Sequence, residues 1–321
     1  MKYGNIAGID KPVSRLVQGT VMITSERRDE SNALLDGIFE AGCNCFDTAH
    51  IYGGGDNERT VGDWIRSRGI RDRVVILAKG SHPYEGRNRC TPEDIASDIA
   101  DSLERFQVEK MDLYILHRDD PSVPVGEIVD ALDEHKRAGR IDAYGGSNWT
   151  HHRVAAANEH AKNHGRTPFA ASSPQFGLAW PQKEVWAGCL TIGGPDGEEA
   201  RQWYTDHDVA LMPWSSLGGG FFSGKFRRDN LGSFTDYFEA LCADCFGHEA
   251  NFERYDRSKI LADDLGVTPA QVALAWVVQQ PMRPFPLVGC RTAEEFRQNA
   301  AALDLTLSPE QLAFLTEGKQ S

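Results

Sequence analysis

Four side chains that can hold or move a proton follow three apolar runs of the sequence. Asp47 ends the run CNCFD and Tyr52 comes five residues later, while Lys79 ends VVILAK and His117 ends MDLYILH. A phenol is a weak acid near neutral pH, and a neighbouring ammonium favours its ionised form and lowers its pKa. With a carboxylate to hold the lysine and an imidazole to hydrogen-bond the substrate, the set could protonate an oxygen that gains negative charge. These residue types predict carbonyl reduction without a metal, provided that a hydride donor is bound.

Each of the four residues also has a structural explanation. Asp47 could cap the following turn, Tyr52 could be a packing aromatic, Lys79 could be solvated, and His117 could be a satisfied histidine at a strand end. The catalytic interpretation is favoured because all four follow successive strands at matching positions. A metal-dependent barrel hydrolase would need clustered His and Asp ligands at strand ends. Only one such histidine is visible, so no metal site is predicted.

The elements that position these residues are short apolar runs alternating with helical patterns. Several runs are continuous, as expected of parallel strands buried on both faces. The alternation has no shift in composition, and it predicts a single domain over residues 1–321, a (β/α)8 TIM barrel with an N-terminal β-hairpin in residues 1–14. A doubly wound sheet is the competing topology, but no GxGxxG follows the first strand. The predicted strands are 15–20, 43–49, 74–80, 111–118, 141–148, 169–175, 210–217 and 283–290.

Local signals define the helices and two long connections. Thr91 followed by Pro92 predicts a helix start, and Gly139 predicts a helix end. The connections 176–197 and 218–250 are long for a compact domain, and such loops tend to be lids or clamps over a site. In a barrel the C-terminal ends of the strands build the active site, so we expect both connections at that face.

Bulk composition excludes some partners. The formal net charge is −13, which argues against nucleic acid or an anionic membrane as the main partner. No apolar run is long enough to suggest a membrane span, and the N-terminus lacks a secretory pattern. Seven scattered cysteines predict reduced thiols and a cytoplasmic protein. Cys242 and Cys245 form a CxxC in what we expect to be a loop, and we interpret this spacing as coincidence.

Several stretches, in order along almost the whole chain, resemble the aldo-keto reductase family. They include FDTAHIYGGGDNERTVG, MDLYILHR, YGGSN and PWSSLGGGFFSGKF. The resemblance implies a (β/α)8 barrel that binds NADPH, or less often NADH, without a Rossmann motif. It implies a catalytic tetrad of Asp47, Tyr52, Lys79 and His117, with Tyr52 as the general acid. The implied activity is the reduction of an aldehyde or ketone, such as a sugar or another small carbonyl compound, to the alcohol.

The resemblance also implies a cofactor site. Ser147, Asn148 and Gln175 would hold the nicotinamide carboxamide, and Trp214 would stack on the nicotinamide ring. Lys225 could add charge near the pyrophosphate or could be solvated. The other contacts that the resemblance implies are Gly19, Thr20, Ser215, Leu217, Gly219, Gly220, Gly289, Gln298 and Asn299.

The choice between NADP and NAD depends on the start of the last helical motif. Thr292 and Glu295 read as a capping box at a helix N-terminus, which attracts phosphate. Arg291 could bind an adenosine 2′-phosphate, whereas the Glu295 carboxylate would repel it and would accept hydrogen bonds from a ribose diol. NADP is favoured by Arg291 and by the usual cofactor of the family that the chain resembles, and NAD stays open.

Other questions stay open at the level of sequence. His50 could touch the substrate or face solvent. Trp180, Trp186 and Phe221 could line an apolar pocket, although sugars also stack on such rings. The alternative to an enzyme is a catalytically weak regulatory or structural protein of the same fold that binds the nicotinamide nucleotide. The substrate and the oligomeric state cannot be deduced from the sequence.

Overall fold

The computed structural model describes residues 1–318 and forms a barrel of eight parallel strands. The strands neighbour one another in chain order, and the last of them, Leu287–Val288, pairs with the first, Val17–Gly19. Each predicted run contains an observed strand, so the predicted fold is confirmed. The strands are β3 (Val17–Gly19), β4 (Cys45–Asp47), β5 (Val75–Gly80), β6 (Met111–Leu116), β7 (Ile141–Ser147), β8 (Ala171–Ser173), β9 (Ala210–Leu211) and β10 (Leu287–Val288).

Two hydrogen bonds close the ring between its last two strands. The Phe285 amide donates to the Leu211 carbonyl at 2.7 Å, and the Leu287 amide donates to the Pro213 carbonyl at 2.9 Å. At the bottom of the barrel, β1 (Tyr3–Gly4) and β2 (Val13–Ser14) form the antiparallel hairpin that the sequence predicted.

Helices on the outside connect the strands. Thr91 caps its helix as predicted, since its side chain accepts a hydrogen bond from the Asp94 amide. No single helix in residues 1–318 is long and apolar enough to cross a membrane. One pair of helices, Glu249–Leu265 and Pro269–Val278, passes that test only jointly, across a bend of 100°. The helices are α1 (Arg28–Glu40), α2 (Asp56–Arg68), α3 (Pro92–Phe106), α4 (Val125–Arg137), α5 (His151–His164), α6 (Glu198–Asp206), α7 (Tyr237–Phe246), α8 (Glu249–Leu265), α9 (Pro269–Val278), α10 (Ala293–Ala301) and α11 (Pro309–Glu317).

Alternation along the strands separates two apolar cores. Alternate strand residues point outward, where they pack with the helices in the larger core. The remaining strand residues point inward and fill the barrel, and the hairpin residues Ile6, Ile9 and Val13 close its bottom. The inward set includes Cys45 of β4, Val75 and Leu77 of β5, and Leu113 and Ile115 of β6.

The connection 218–250 differs from the polar loop expected there. It contains short 3-10 turns at Gly218–Ser223 and Leu231–Ser233 and the helix α7, which Asp236 caps through two backbone amides. Cys242 and Cys245 are therefore buried in a helix, and the prediction that they lie in a loop is wrong. All seven cysteines are free thiols. The Cys242 thiol donates to the Gly218 carbonyl at 3.0 Å, so it joins α7 to the glycine turn.

Candidate active site

The inward stripes of three neighbouring strands end in polar residues. Asp47 follows Cys45 on β4, Lys79 follows Leu77 on β5, and His117 comes directly after β6, two residues beyond Ile115. Because strand side chains alternate with a period of two, each polar group continues the inward face of its strand. The strands pair in parallel, with Asp47 opposite Leu77 and Lys79 opposite Ile115. The C-terminal mouth of the barrel therefore receives the carboxylate, the ammonium and the imidazole together.

Tyr52 reaches the same mouth from a tight turn after β4. The glycines that follow it, Gly53, Gly54 and Gly55, have φ values of 56°, 60° and 91°, a backbone region that other residues rarely adopt. A side chain at Gly55 would also meet the guanidinium of Arg105 at 2.6 Å. That guanidinium holds the turn, because it donates to the His50 carbonyl and to the buried Glu58 carboxylate, each at 3.0 Å.

A buried ion pair lies next to the phenol. The Lys79 ammonium donates to the Asp47 carboxylate, and the two side chains are 5% and 6% exposed. The ammonium lies 5.5 Å from the centre of the Tyr52 ring. Burial alone would lower the pKa of Lys79, but Asp47 and then Tyr52 outweigh it and raise that pKa. The lysine is therefore charged at neutral pH.

The pKa of Tyr52 is raised, so the expectation of a lowered value is wrong. Burial is the largest cause, because it penalises the phenolate, and the Lys79 charge offsets only part of it. The phenol is consequently protonated at neutral pH, which is the form that a general acid requires. The ammonium beside it can stabilise the phenolate once the proton has left.

His117 is a neutral imidazole beside the phenol. Burial, followed by the charges of Lys79 and Arg118, holds its pKa well below the ordinary 6.5. Its ring lies edge-on to Tyr52, with centroids 6.0 Å apart. Its Nδ1 is buried and has no hydrogen-bond partner among residues 1–318. A neutral imidazole can donate a hydrogen bond to a substrate oxygen.

A cavity of about 570 Å³ extends from the tetrad to the start of α10. All four tetrad residues line it, together with most of the predicted cofactor contacts. The predicted contacts at its surface are Gly19, Thr20, Ser147, Asn148, Trp214, Ser215, Leu217, Gly219, Gly220, Gly289, Arg291, Glu295 and Asn299, with Lys225.

Two predicted cofactor contacts lie outside the cavity lining. Gln175 is 0% exposed, and its side chain is used locally, since it accepts from the Thr191 hydroxyl at 2.5 Å and donates to the Ala179 carbonyl at 3.4 Å. Gln298 is on the exposed side of α10, where its side chain bonds Glu294 at 3.3 Å. The structure thus brings neither amide to the cavity surface.

The aromatic predictions are divided in the same way. Trp186 lines the cavity, with its ring centre 5.7 Å from that of Trp214, and its indole N–H donates to Tyr237 at 2.8 Å. Trp180 instead lies under the Arg254 guanidinium at 3.7 Å, and Phe221 is 1% exposed in the outer core. Neither of these two lines the cavity, so that part of the prediction is wrong.

His50 has a structural partner. Its Nε2 lies 2.9 Å from the Asp101 carboxylate and 3.8 Å from that of Asp98. The residue does not line the cavity. His50 therefore matches neither the substrate contact nor the free surface histidine considered from the sequence.

Hydrogen bonds at the start of α10 hold the Glu295 carboxylate in place. Thr292 caps the helix through the Glu295 amide, and the Glu295 carboxylate accepts from the Arg291 amide at 2.8 Å. This reciprocal pairing differs from a standard capping box, since the carboxylate bonds the residue before the cap. Both charged side chains are exposed at one end of the cavity.

Sequence reasoning missed several cavity residues. Val185 and Cys189 come from the connection 176–197, and Phe238, Glu239 and Leu241 come from α7. Both connections were expected at this face, but no local pattern marked which of their residues would line the cavity. Arg118 was also missed, although its position directly after His117 was a usable signal.

One group of potential metal ligands lies elsewhere in residues 1–318. Ligand atoms of His151, His152 and Glu199 lie within 4.8 Å of one another, at the N-terminal ends of α5 and α6. None of them lines the cavity.

Comparisons with known proteins agree with the geometry. The model of the Aldo/keto reductase family matches residues 15–318. Probable aryl-alcohol dehydrogenase AAD4 of Saccharomyces cerevisiae is 27% identical over 303 residues, which cover 91% of this chain and 88% of that protein. A protein of Phanerodontia chrysosporium named aryl-alcohol dehydrogenase NADP(+) is 27% identical over 313 residues, with 90% and 76% coverage.

A solved structure shows the same fold. The crystal structure of a thermostable aldo-keto reductase in complex with the inhibitor epalrestat has a TM-score of 0.75 at 20% sequence identity. The match covers 98% of this chain and 99% of that one. Because the family model matches nearly the whole chain, the protein belongs to the aldo/keto reductase family.

Proposed function

We propose that the protein is an NAD(P)H-dependent carbonyl reductase that converts an aldehyde or ketone to the alcohol, with Tyr52 as the proton donor. The observation that carries this proposal is the buried Lys79–Asp47 pair beside a protonated phenol at the barrel mouth. The aryl-alcohol dehydrogenase names of two relatives support aryl aldehydes as the first substrates to test.

In this mechanism the protein supplies the proton and stabilises charge. Tyr52 donates its phenolic proton to the carbonyl oxygen as that oxygen becomes an alkoxide. Lys79 stabilises the phenolate that remains, and Asp47 keeps the ammonium charged and in position. His117, held neutral, donates a hydrogen bond to the same oxygen. In the oxidation of an alcohol, the Tyr52 phenolate is the base.

The lining of the cavity fits a nicotinamide nucleotide. A reduced nicotinamide, when bound, supplies the hydride. Ser147 and Asn148 present a neutral hydroxyl and amide that suit a neutral carboxamide, and Trp214 presents an aromatic face. Gly219 and Gly220 have φ values of 66° and 97°, and small residues of this kind let backbone amides approach a pyrophosphate.

We propose NADP as the preferred cofactor. Arg291 supplies a positive charge at the end of the cavity, and the carboxylate of Glu295 beside it accepts a hydrogen bond from the Arg291 amide. One relative carries NADP(+) in its name. We also propose that a single domain contains the whole site, since strands from every part of the barrel contribute to it.

The matched pair Tyr52→Phe and Tyr84→Phe tests this function. Tyr84 is 58% exposed and lies outside the cavity lining, so its variant controls for loss of a phenol. General acid catalysis contributes about 10²- to 10⁴-fold, and we expect kcat with benzaldehyde to fall by that factor in Tyr52→Phe alone. Full activity of Tyr52→Phe would refute the proposed mechanism.

Cofactor titration separates the enzyme from a nucleotide-binding regulator. The quenching of tryptophan fluorescence by NADPH should be equal in the wild type and in Tyr52→Phe, because the hydroxyl is not among the proposed cofactor contacts. Tight binding with negligible turnover in the wild type would instead favour a regulatory or structural protein.

A further inference from the structure

Arg118 is a buried cation at the wall of the active-site cavity. The residue is 7% exposed and lines the same cavity as the tetrad. Its Nη1 donates to the His117 carbonyl at 2.8 Å, and its Nε donates to the Ala187 carbonyl at 3.3 Å. These bonds fix the guanidinium between the end of β6 and the connection 176–197. The Nη2 group forms no protein hydrogen bond among residues 1–318.

No carboxylate balances this charge in the described part of the chain. The adjacent Asp119 is engaged by Arg153, with Nε 3.2 Å from Oδ2. Asp47, the carboxylate at the centre of the site, is paired with Lys79. Arg118 itself takes part in no ion pair within residues 1–318.

Four titratable side chains on which the Arg118 charge acts, His82, His117, Cys189 and Tyr52, are uncharged at neutral pH. Burial lowers the pKa of His82 and holds that of His117 well below its ordinary value, so both imidazoles are neutral. Burial raises the pKa of the Cys189 thiol and of the Tyr52 phenol, so both keep their protons. The Arg118 charge acts on each of these four groups. Since none of these four groups can neutralise the guanidinium, Arg118 presents an unpaired positive charge at the cavity wall.

A buried charge is stable only when it is paired or well hydrogen-bonded. Two backbone carbonyls satisfy part of the guanidinium, but they supply no net negative charge. A planar guanidinium with a free edge matches a carboxylate in geometry and charge. The remaining partner must therefore enter with a ligand of the cavity.

We propose that Arg118 recognises an anionic group of the substrate, so that this reductase acts on carbonyl compounds that also carry a carboxylate. This inference rests on the proposed reductase function and narrows its substrate class. Trp186 and Val185 line the same cavity, so an aromatic or aliphatic body can lie between the reacting carbonyl and the acid group.

The test compares acids with their neutral methyl esters. The substrates are 2-, 3- and 4-carboxybenzaldehyde and the corresponding methyl formylbenzoates. They are assayed with the wild type, Arg118→Met, Arg118→Lys and the control Arg201→Met. Arg201 is half-buried and bonds two carbonyls of the same connection, those of Ile192 at 2.6 Å and Gly194 at 2.7 Å, but it does not line the cavity.

A hydrogen bond to a charged group corresponds to about 10- to 100-fold in affinity. We expect the wild type to prefer at least one acid over its ester by about that factor in kcat/KM, mainly through KM. Arg118→Met should abolish the preference, Arg118→Lys should restore part of it, and Arg201→Met should retain it. If no acid is preferred, or if the preference survives in Arg118→Met, Arg118 is only a structural link and the inference is overturned.

Equilibrium binding separates this inference from the reductase function. Benzoate and methyl benzoate are titrated against the protein loaded with NADP, and tryptophan fluorescence is followed. Tighter binding of benzoate that depends on Arg118 supports the inference even if no aldehyde is reduced. Turnover of the esters without any preference for benzoate or for the acids supports the reductase and overturns the role of Arg118.

Discussion

Replacing one residue of the buried Lys79–Asp47 pair should lower the free energy of unfolding far more than replacing both. Its two side chains are 5% and 6% exposed, and neither has another ion-pair partner in residues 1–318. Loss of one partner from such a pair costs about 3–5 kcal/mol, because the other charge stays buried without compensation. We expect Lys79→Met and Asp47→Asn each to lower the free energy of unfolding by an amount in that range.

The double variant Asp47→Asn/Lys79→Met carries no charge at either position of the pair. Replacing a whole buried pair is often close to neutral, so we expect the double variant to be more stable than either single one and within roughly 1–2 kcal/mol of the wild type. Urea unfolding, followed by tryptophan fluorescence and far-UV circular dichroism, measures all four proteins. A double variant that loses the sum of the two single effects would show that the charges act independently, contrary to this reasoning.

The pH dependence of Lys79→Met provides a second check. Burial already raises the pKa of Asp47 above 3.8 in the intact protein, and loss of the ammonium removes the main opposing effect. A carboxyl whose folded-state pKa exceeds its unfolded value stabilises the fold when protonated, and this stability is lost as pH rises through the folded-state pKa. The stability deficit of Lys79→Met should therefore grow from about pH 5 to about pH 8. A deficit that is constant over this range would argue that Asp47 is not left buried and unpaired.

Two further predictions concern pH and cofactor choice. The reductive reaction needs a protonated Tyr52, whose pKa burial raises above 10.0, and a neutral His117, whose pKa lies well below 6.5. The plot of kcat against pH should therefore show neither an acid limb near 6.5 nor a basic limb in the mildly alkaline range. A basic limb between roughly pH 7 and 9 would show that the effect of Lys79 on the Tyr52 pKa outweighs that of burial. Glu295→Gln should lower the KM for NADPH by about two- to fivefold, since an exposed charge is worth less than about 1 kcal/mol. It should not lower the KM for NADH, because NADH has no 2′-phosphate for the carboxylate to repel. Glu294→Gln, which alters an exposed neighbour outside the cavity lining, is its control. Equal effects of the two variants, or an effect that does not shrink with salt, would contradict an electrostatic role for Glu295.

The strands were predictable as continuous apolar runs, and Asp47, Lys79 and His117 were predictable because they come at the ends of three of these runs. The inward positions of β5 read Val75, Leu77 and Lys79, so the stripe that builds the core also delivers the amine to the mouth. The alternation of strand and helix patterns was sufficient for the barrel. Helix starts such as Thr91 were local signals and were found where the sequence placed them.

The errors arose where long-range packing decides the outcome. Helix α7 was missed because a polar stretch precedes it and its apolar residues cover more than one face. The resemblance implied a cofactor contact for Gln175, and Trp180 was considered for an apolar pocket. Each instead has a local partner that the sequence does not show, Thr191 and Arg254 respectively. The direction of the Tyr52 pKa depends on the balance between burial and charge, which is a property of the folded cavity.

The closure of the barrel between Leu211 and Leu287 has a consequence for self-association. A sheet that ends in an open edge strand offers free amide and carbonyl groups to a strand of another chain, which is a route to aggregation. In this seam Pro284 and Pro286 have no amide hydrogen, whereas the amides of Phe285 and Leu287 both donate across it. If β9 and β10 separate transiently, this part of the chain therefore exposes few free amide donors. Deuterium uptake at those two amides would report how often the ring opens.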